Sequence, residues 1–134
     1  MAAHAAEEPT TGLVVLVAED NVVNQKIIVR MLRGLGCEVQ AVANGGEVLA
    51  ACAAHRFDLV LMDIRMPEMD GMEAARALRH SLPADQLPCI YAMTAGVDAE
   101  DQAACLEAGM AGFLPKPVAL RKENRQKICR RMSS

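Results

Sequence analysis

The chain has 134 residues, 52% of them hydrophobic and 23% charged, with a net charge of −3; that is one domain's worth of polymer, apolar enough for a core and not for disorder. Aromatics at 2% exclude a base-stacking nucleic-acid surface, which needs exposed rings. No apolar run reaches the roughly 18 residues of a membrane span. The five cysteines (Cys37, Cys52, Cys89, Cys105, Cys129) are odd in number and lack a C-x-x-C pair, so they read as free thiols of a reducing compartment rather than a disulfide or zinc framework.

The charge is unevenly placed. Residues 119–134 carry Arg121, Lys122, Arg125, Lys127, Arg130 and Arg131 against Glu123 alone, which leaves an acidic body. An acidic body suggests a cation site. The basic end reads first as a solvated helix face, with nucleic-acid contact a distant second.

Residues 1–12 are Ala-rich with acids and lack the basic start of a signal peptide, so they are expected to form a flexible leader. Leu13–Val17 is an apolar, β-branched run ending in Ala18-Glu19-Asp20: strand 1 ends in two acids. From Asn21 to Leu35, apolar residues at 23, 27, 28, 31, 32 and 35 predict one inward helical face, closed by Gly36. Val22 and Val29 then fall on the opposite face and are candidates for a partner surface. Cys37–Ala43 predicts an outer strand, and Asn44 with Glu47 three residues on predicts the cap of helix 2.

Leu59–Met62 is apolar on every residue, as in a strand buried on both faces, and it runs straight into Asp63. An aspartate there has no packing value. Asp70-Gly71-Met72-Glu73 repeats the cap spacing and starts helix 3, with Ala74, Ala75, Leu78 and Leu82 inward. Cys89–Met93 is strand 4, ending at Thr94. Asp98–Asp101 opens helix 4, which Gly109 closes. Gly112–Leu114 is strand 5, followed by Pro115-Lys116-Pro117. In Val118–Met132 only Leu120, Ile128 and Met132 fall at inward positions, so helix 5 is weakly patterned.

Five βα repeats predict an α/β fold: a doubly wound, five-stranded parallel sheet of flavodoxin-like order 2-1-3-4-5, as one domain over 13–132 with 133–134 as a tail. Ligands bind at the carboxyl edge of such a sheet. Glu19, Asp20 and Asp63 converge there, with Thr94 and Lys116 arriving from strands 4 and 5. An all-oxygen acidic cluster suits Mg²⁺. A carboxylate, a hydroxyl, an ammonium and a divalent cation around one point suit phosphoryl chemistry. The sequence has no Gly-rich nucleotide cradle, so the phosphate must arrive on something else, and an aspartate is itself a competent nucleophile.

Glu19-Asp20-Asn21, Asp63 with Met66-Pro67 and Asp70-Gly71, Met93-Thr94-Ala95, and Phe113-Leu114-Pro115-Lys116-Pro117 together resemble a response-regulator receiver domain. The wording from Val17 to Lys26 is similar to receivers fused to hybrid sensor histidine kinases. The resemblance implies that Asp63 accepts a phosphoryl group from a phosphohistidine. It implies that Asp20, Asp63 and the backbone carbonyl of Arg65 bind Mg²⁺ (Mn²⁺ as a substitute), with Glu19 in the outer shell. It further implies that Thr94 and Lys116 contact the phosphoryl oxygens, that Thr94 and Phe113 form a switch, and that the bond to Pro117 is cis.

The partners it implies are a histidine kinase domain or a histidine phosphotransfer protein. No nucleic acid and no membrane contact are expected, the setting is cytoplasmic, and the domain is a monomer or weak dimer. It acts on no diffusible substrate and catalyses only its own phosphorylation and hydrolysis. Two positions depart in an informative way: Gly96 supplies no side chain over the site, whereas Arg65 supplies a long one expected to alter the phosphorylated lifetime. The basic segment after Val118 speaks against a dimer through helix 5. An aspartyl-phosphate phosphatase is the enzyme alternative, but its second acid belongs where Arg65 stands. A flavin-type binding module lacks its phosphate loop after strand 1.

Overall fold

A strand that is apolar on both faces is stable only inside a sheet covered on both sides, and the chain is built around two of them. The structure, a computed structural model, describes residues 13–66, 68–94, 99–116, 118 and 122–133. The expected leader, Pro67, Gly96, the cis bond at Pro117, and Leu120 lie outside the described residues. β1 (Val14–Ala18) and β3 (Leu59–Asp63) are almost wholly shut off from water. β2 (Glu38–Val42), β4 (Cys89–Thr94) and β5 (Gly112–Pro115) complete a parallel sheet of order β2-β1-β3-β4-β5. The order is the predicted one, with β2 on an edge.

Helices α1 (Val22–Gly34), α2 (Gly45–Ala54), α3 (Gly71–Ser81), α4 (Ala99–Glu107) and α5 (Lys122–Ser133) cover both faces. Side chains alternate across a strand, so each strand feeds two cores. Leu16, Ala18, Val60, Met62, Ile90 and Ala92 face the layer of α2, α3 and α4, through residues such as Val48, Leu78 and Cys105. Val15, Val17, Leu59, Leu61, Met93 and Leu114 face α1 and α5, through Ile28, Leu32 and Ile128. Each large aliphatic side chain so buried contributes roughly 1.5–3 kcal/mol.

The helix starts follow from local chemistry. Asn21 and Asn44 accept from the backbone N–H of Asn24 and Glu47. Asp70 and Glu73 form a reciprocal capping box at α3. At the other ends, Gly36 and Gly109 adopt positive φ (94° and 97°), as the stop positions require. No described helix is long and apolar enough to cross a membrane.

The inward face of α1 needs correcting. Ile28 and Leu32 are buried as expected, but Val29 packs against the core, while Val23 and Ile27 are 65% and 46% exposed. The cause is Gln25, whose Nε2 donates to the carbonyls of Glu19 and Val42, both at 3.0 Å. Those bonds turn the Gln25 side of the helix toward the strand ends and leave Val22, Val23 and Ile27 facing out. Val22 is on the exposed face as predicted; Val29 is not.

Candidate functional site

In a parallel sheet every strand delivers its last residue to the same edge. Here the register does so closely: Ala18 pairs with Met62, Asp63 with Met93, and Thr94 with Pro115. Backbone bonds carry the alignment one residue further, from Glu19 N–H to the Val42 carbonyl (3.1 Å) and from Lys116 N–H to the Thr94 carbonyl (2.8 Å). Glu19, Asp20, Asp63, Thr94 and Lys116 therefore meet at one edge through strand pairing alone.

Glu19, Asp20 and Asp63 each offer a carboxylate oxygen within 4.8 Å of the others. Glu19 and Asp63 are buried at 1% and 4% exposure, and Asp20 is exposed. The Lys116 ammonium lies 2.7 Å from Asp63 Oδ2 and 3.4 Å from Glu19 Oε1. The backbone N–H of Arg65 donates to Asp63 Oδ1 at 3.0 Å, so both oxygens of Asp63 are held. Thr94 is buried at the end of β4.

The electrostatics follow from that packing. Burial pushes the Glu19 carboxyl above its ordinary range, and the charge of Asp63 adds to this, while the N–H of Asn21 and the charge of Lys116 pull the other way. Burial also works against the Lys116 ammonium, but its hydrogen bond to Asp63 and the charges of Asp63 and Glu19 more than offset it, so its pKa lies above the usual lysine value. Glu19 Oε1 is buried, and its polar contact among the described residues is the Lys116 ammonium, at an ion-pair distance of 3.4 Å. An all-oxygen donor set of three clustered carboxylates, one of them with a buried oxygen held only at ion-pair distance, fits a small hard divalent cation, taken directly or through its water.

The loop between β3 and α3 is shaped by close contact. A Cβ on Gly71 would meet the Asp63 carbonyl oxygen at 2.6 Å and the Ile64 Cα at 2.9 Å, so only glycine lets α3 begin this near the site. A Cβ on Gly45 would likewise meet the Met69 carbonyl oxygen at 2.6 Å. Between them Glu68 holds φ at 69°, an uncommon value for a residue with a side chain. In the loop that follows Asp63, the residues Ile64, Arg65, Met66, Asp70 and Met72 line a groove of about 520 Å³, and Arg65 is exposed there.

Phe113 is half-buried against the α2–α3–α4 core. One residue escaped the sequence reading. Asn124 on α5 is completely buried, and its amide donates to the carbonyls of Pro115 and Val118 on either side of Lys116. An asparagine among basic residues carries no sequence signal of burial.

With this geometry in hand, comparisons with known proteins agree with one another. The family model described as the response regulator receiver domain matches residues 15–126. The hybrid signal transduction histidine kinase L of Dictyostelium discoideum is 40% identical over 109 residues, which are 78% of this chain and 6% of that protein. The chain thus matches only a small part of such relatives, between 5% and 12% of their length in several cases. The crystal structure of the receiver domain of sensor histidine kinase PA1611 from Pseudomonas aeruginosa, with a magnesium ion coordinated in its active site cleft, superposes with a TM-score of 0.79 at 38% identity, covering 92% of this chain and 100% of that one. A chain of the Saccharomyces cerevisiae co-crystal of the histidine phosphotransfer protein Ypd1 with the receiver domain of Ssk1 gives a TM-score of 0.76 at 27% identity, covering 90% and 86%.

Proposed function

The chain belongs to the response-regulator receiver domain family, a component of phosphorelay signal transduction, and from that premise we propose that Asp63 is its phosphoacceptor. A carboxylate oxygen of Asp63 forms the P–O bond while the P–N bond to the donor's imidazole breaks, the electron pair leaving on nitrogen. As the carboxylate becomes an acyl phosphate, negative charge moves outward onto the phosphoryl oxygens. Lys116, 2.7 Å from Asp63 Oδ2, is placed to follow it. Arg65 N–H holds the other oxygen and fixes the plane of the carboxylate.

Thr94 at the end of β4 donates its hydroxyl to a phosphoryl oxygen, and Phe113 turns further into the core as Thr94 moves. Asp20, Asp63 and the Arg65 carbonyl would hold Mg²⁺, or Mn²⁺ in its place, with Glu19 acting through water, and the ion would neutralise charge on the transferring group. The observation that carries this reading is the convergence of Glu19, Asp20 and Asp63 within 4.8 Å of one another, with the Lys116 ammonium against Glu19 and Asp63.

The donor is a phosphohistidine on a histidine kinase domain or a histidine phosphotransfer protein, the kind of partner that the Ypd1 complex holds. The exposed face of α1, with Val22, Val23 and Ile27, begins two residues after Asp20 and is the docking surface we assign to it. Residues 13–132 act as one unit, in the cytoplasm, as a monomer or weak dimer. The phosphatase reading is set aside: Arg65 occupies the position its second acid needs.

Incubation with Mg²⁺ and a small phosphodonor should add one phosphoryl group in an acid-stable, base-labile bond. Asp63→Asn should abolish it; an adduct that survives that substitution overturns the assignment. Arg65→Ala should shorten the phosphorylated lifetime by removing the exposed side chain two residues after Asp63, as measured by decay of the adduct.

A further inference from the structure

Where the apolar pattern of a helix is weak, something else must fix it against the sheet, and in α5 that something is polar. Asn124 Nδ2 donates to the Pro115 carbonyl at 2.8 Å and the Val118 carbonyl at 3.3 Å. Its Oδ1 is buried and has no hydrogen-bond partner among the described residues. The amide satisfies two carbonyls but leaves its own acceptor orphaned, so its net contribution to stability is modest. The gain must lie in what the two accepting carbonyls are attached to.

They flank Lys116. Pro115 precedes it and Val118 lies two residues beyond, so one side-chain amide clips together both ends of the short segment that carries the lysine. One helical turn away, Lys127 Nζ donates to the Phe113 carbonyl at 2.9 Å and ties the same strand again. Lys116 starts from an edge strand of four residues and must reach past β4 to Asp63 on β3. Its long side chain has many rotamers; holding the ammonium at 2.7 Å requires a fixed backbone beneath it.

We propose that Asn124 is a positioning residue: by clipping the Pro115 and Val118 carbonyls it sets the Lys116 ammonium against Asp63. This rests on the reading of Asp63 as phosphoacceptor, and the test separates the two. The rate of phosphoryl addition from a small phosphodonor with Mg²⁺ is measured against donor concentration for the full chain, Asn124→Leu and Ile128→Val, alongside thermal melts. Asn124→Leu keeps the branching of the side chain and removes both donated bonds. Ile128→Val weakens the packing of the same helix and keeps them.

Asn124→Leu should lower the limiting rate roughly tenfold, with the half-saturating donor concentration unchanged and the melting midpoint lowered no further than by Ile128→Val. Ile128→Val should lower the midpoint and leave the rate as it was. Equal rates for Asn124→Leu and the unaltered chain overturn the proposal, as does a rate that merely tracks the melting midpoint in both variants. If Asn124→Leu does not fold, Asn124→Ala removes the same donors and is read the same way. Failure of the unaltered chain to accept a phosphoryl group on Asp63 instead overturns the phosphoacceptor reading.

Discussion

Helices α3 and α5 each follow a loop that supplies the site, yet they are anchored in opposite ways. α3 follows the loop that leaves Asp63 and Arg65; it buries Gly71, Ala74, Ala75 and Leu78, is sealed by the Asp70–Glu73 capping box, and has Arg79 and His80 in its last turn. α5 follows the segment carrying Lys116, and its described buried residues are Ile128 and the amide of Asn124, with Lys127 reaching back to Phe113. Apolar packing resists displacement in many small contacts at once, whereas one hydrogen bond contributes only about 0.5–1.5 kcal/mol net. The acid half of the site therefore rests on a stiff foundation, and the lysine half on a few directional bonds. Disturbing the apolar packing of α3 should cost mostly stability; removing the polar ties of α5 should cost mostly activity.

Leu78→Ala gives the largest effect and tests the first half directly. With Leu78 at 1% exposure, the lost packing should lower the unfolding free energy by about 2–5 kcal/mol in a urea titration, while the folded fraction still accepts a phosphoryl group at the normal rate. Gly71→Ala comes next. The atoms its methyl would meet belong to the Asp63 and Ile64 backbone and cannot swing aside, so the strain should be about 1–3 kcal/mol. Unlike Leu78→Ala it should also slow phosphorylation, because the strand end moves. An unaffected rate in the folded protein would place the glycine in the helix's service and not the site's.

Smaller still is Lys127→Met, which keeps the aliphatic stem and deletes the ammonium. About 0.5–1.5 kcal/mol should be lost, at the low end because the group is partly exposed and screened. The comparison is sharpened if its phosphorylation rate falls by more than that of a substitution on α3 with the same loss of stability, and broken if the two fall together.

The same contrast explains what was legible in the sequence. β1 and β3 declared themselves as unbroken apolar runs, and Asp63 stood out as an acid with no packing reason to end one. The strand order then followed, and with it the meeting of five site residues. α3 was readable because its cap and its inward alanines are local signals. The face of α1 was not, because Gln25 turns it through bonds to carbonyls at the end of β2 and just beyond β1, and periodicity counts apolar residues only. Asn124 was hidden for a related reason: its partners are backbone carbonyls, which every sequence possesses. Gly71 was legible as a turn residue, but its actual constraint, a helix start pressed against Asp63, is a distance that spacing does not encode.

The buried acid Glu19 makes stability depend on pH in a definite direction. Burial, aided by the charge of Asp63, raises the Glu19 pKa above its ordinary 4.5 in the folded chain. A carboxyl whose pKa is raised on folding binds its proton more tightly in the native state. Its contribution to stability is therefore fully present below the ordinary value and is lost as pH rises through the folded value. Lys116, raised above 10.5, keeps its contribution throughout that window and loses it only in strong base, so it cannot mask the trend. In metal-free buffer, the unaltered chain should thus lose stability relative to Glu19→Gln as pH climbs from about 4.5 toward neutrality, as measured by paired urea titrations. Added Mg²⁺ should shrink the difference, because a cation beside Glu19 favours the charged form that burial penalises. A difference that is flat with pH, or untouched by Mg²⁺, would mean that the buried oxygen of Glu19 is satisfied by Lys116 alone, and the two halves of the site would then be one ion-paired unit without need of a metal.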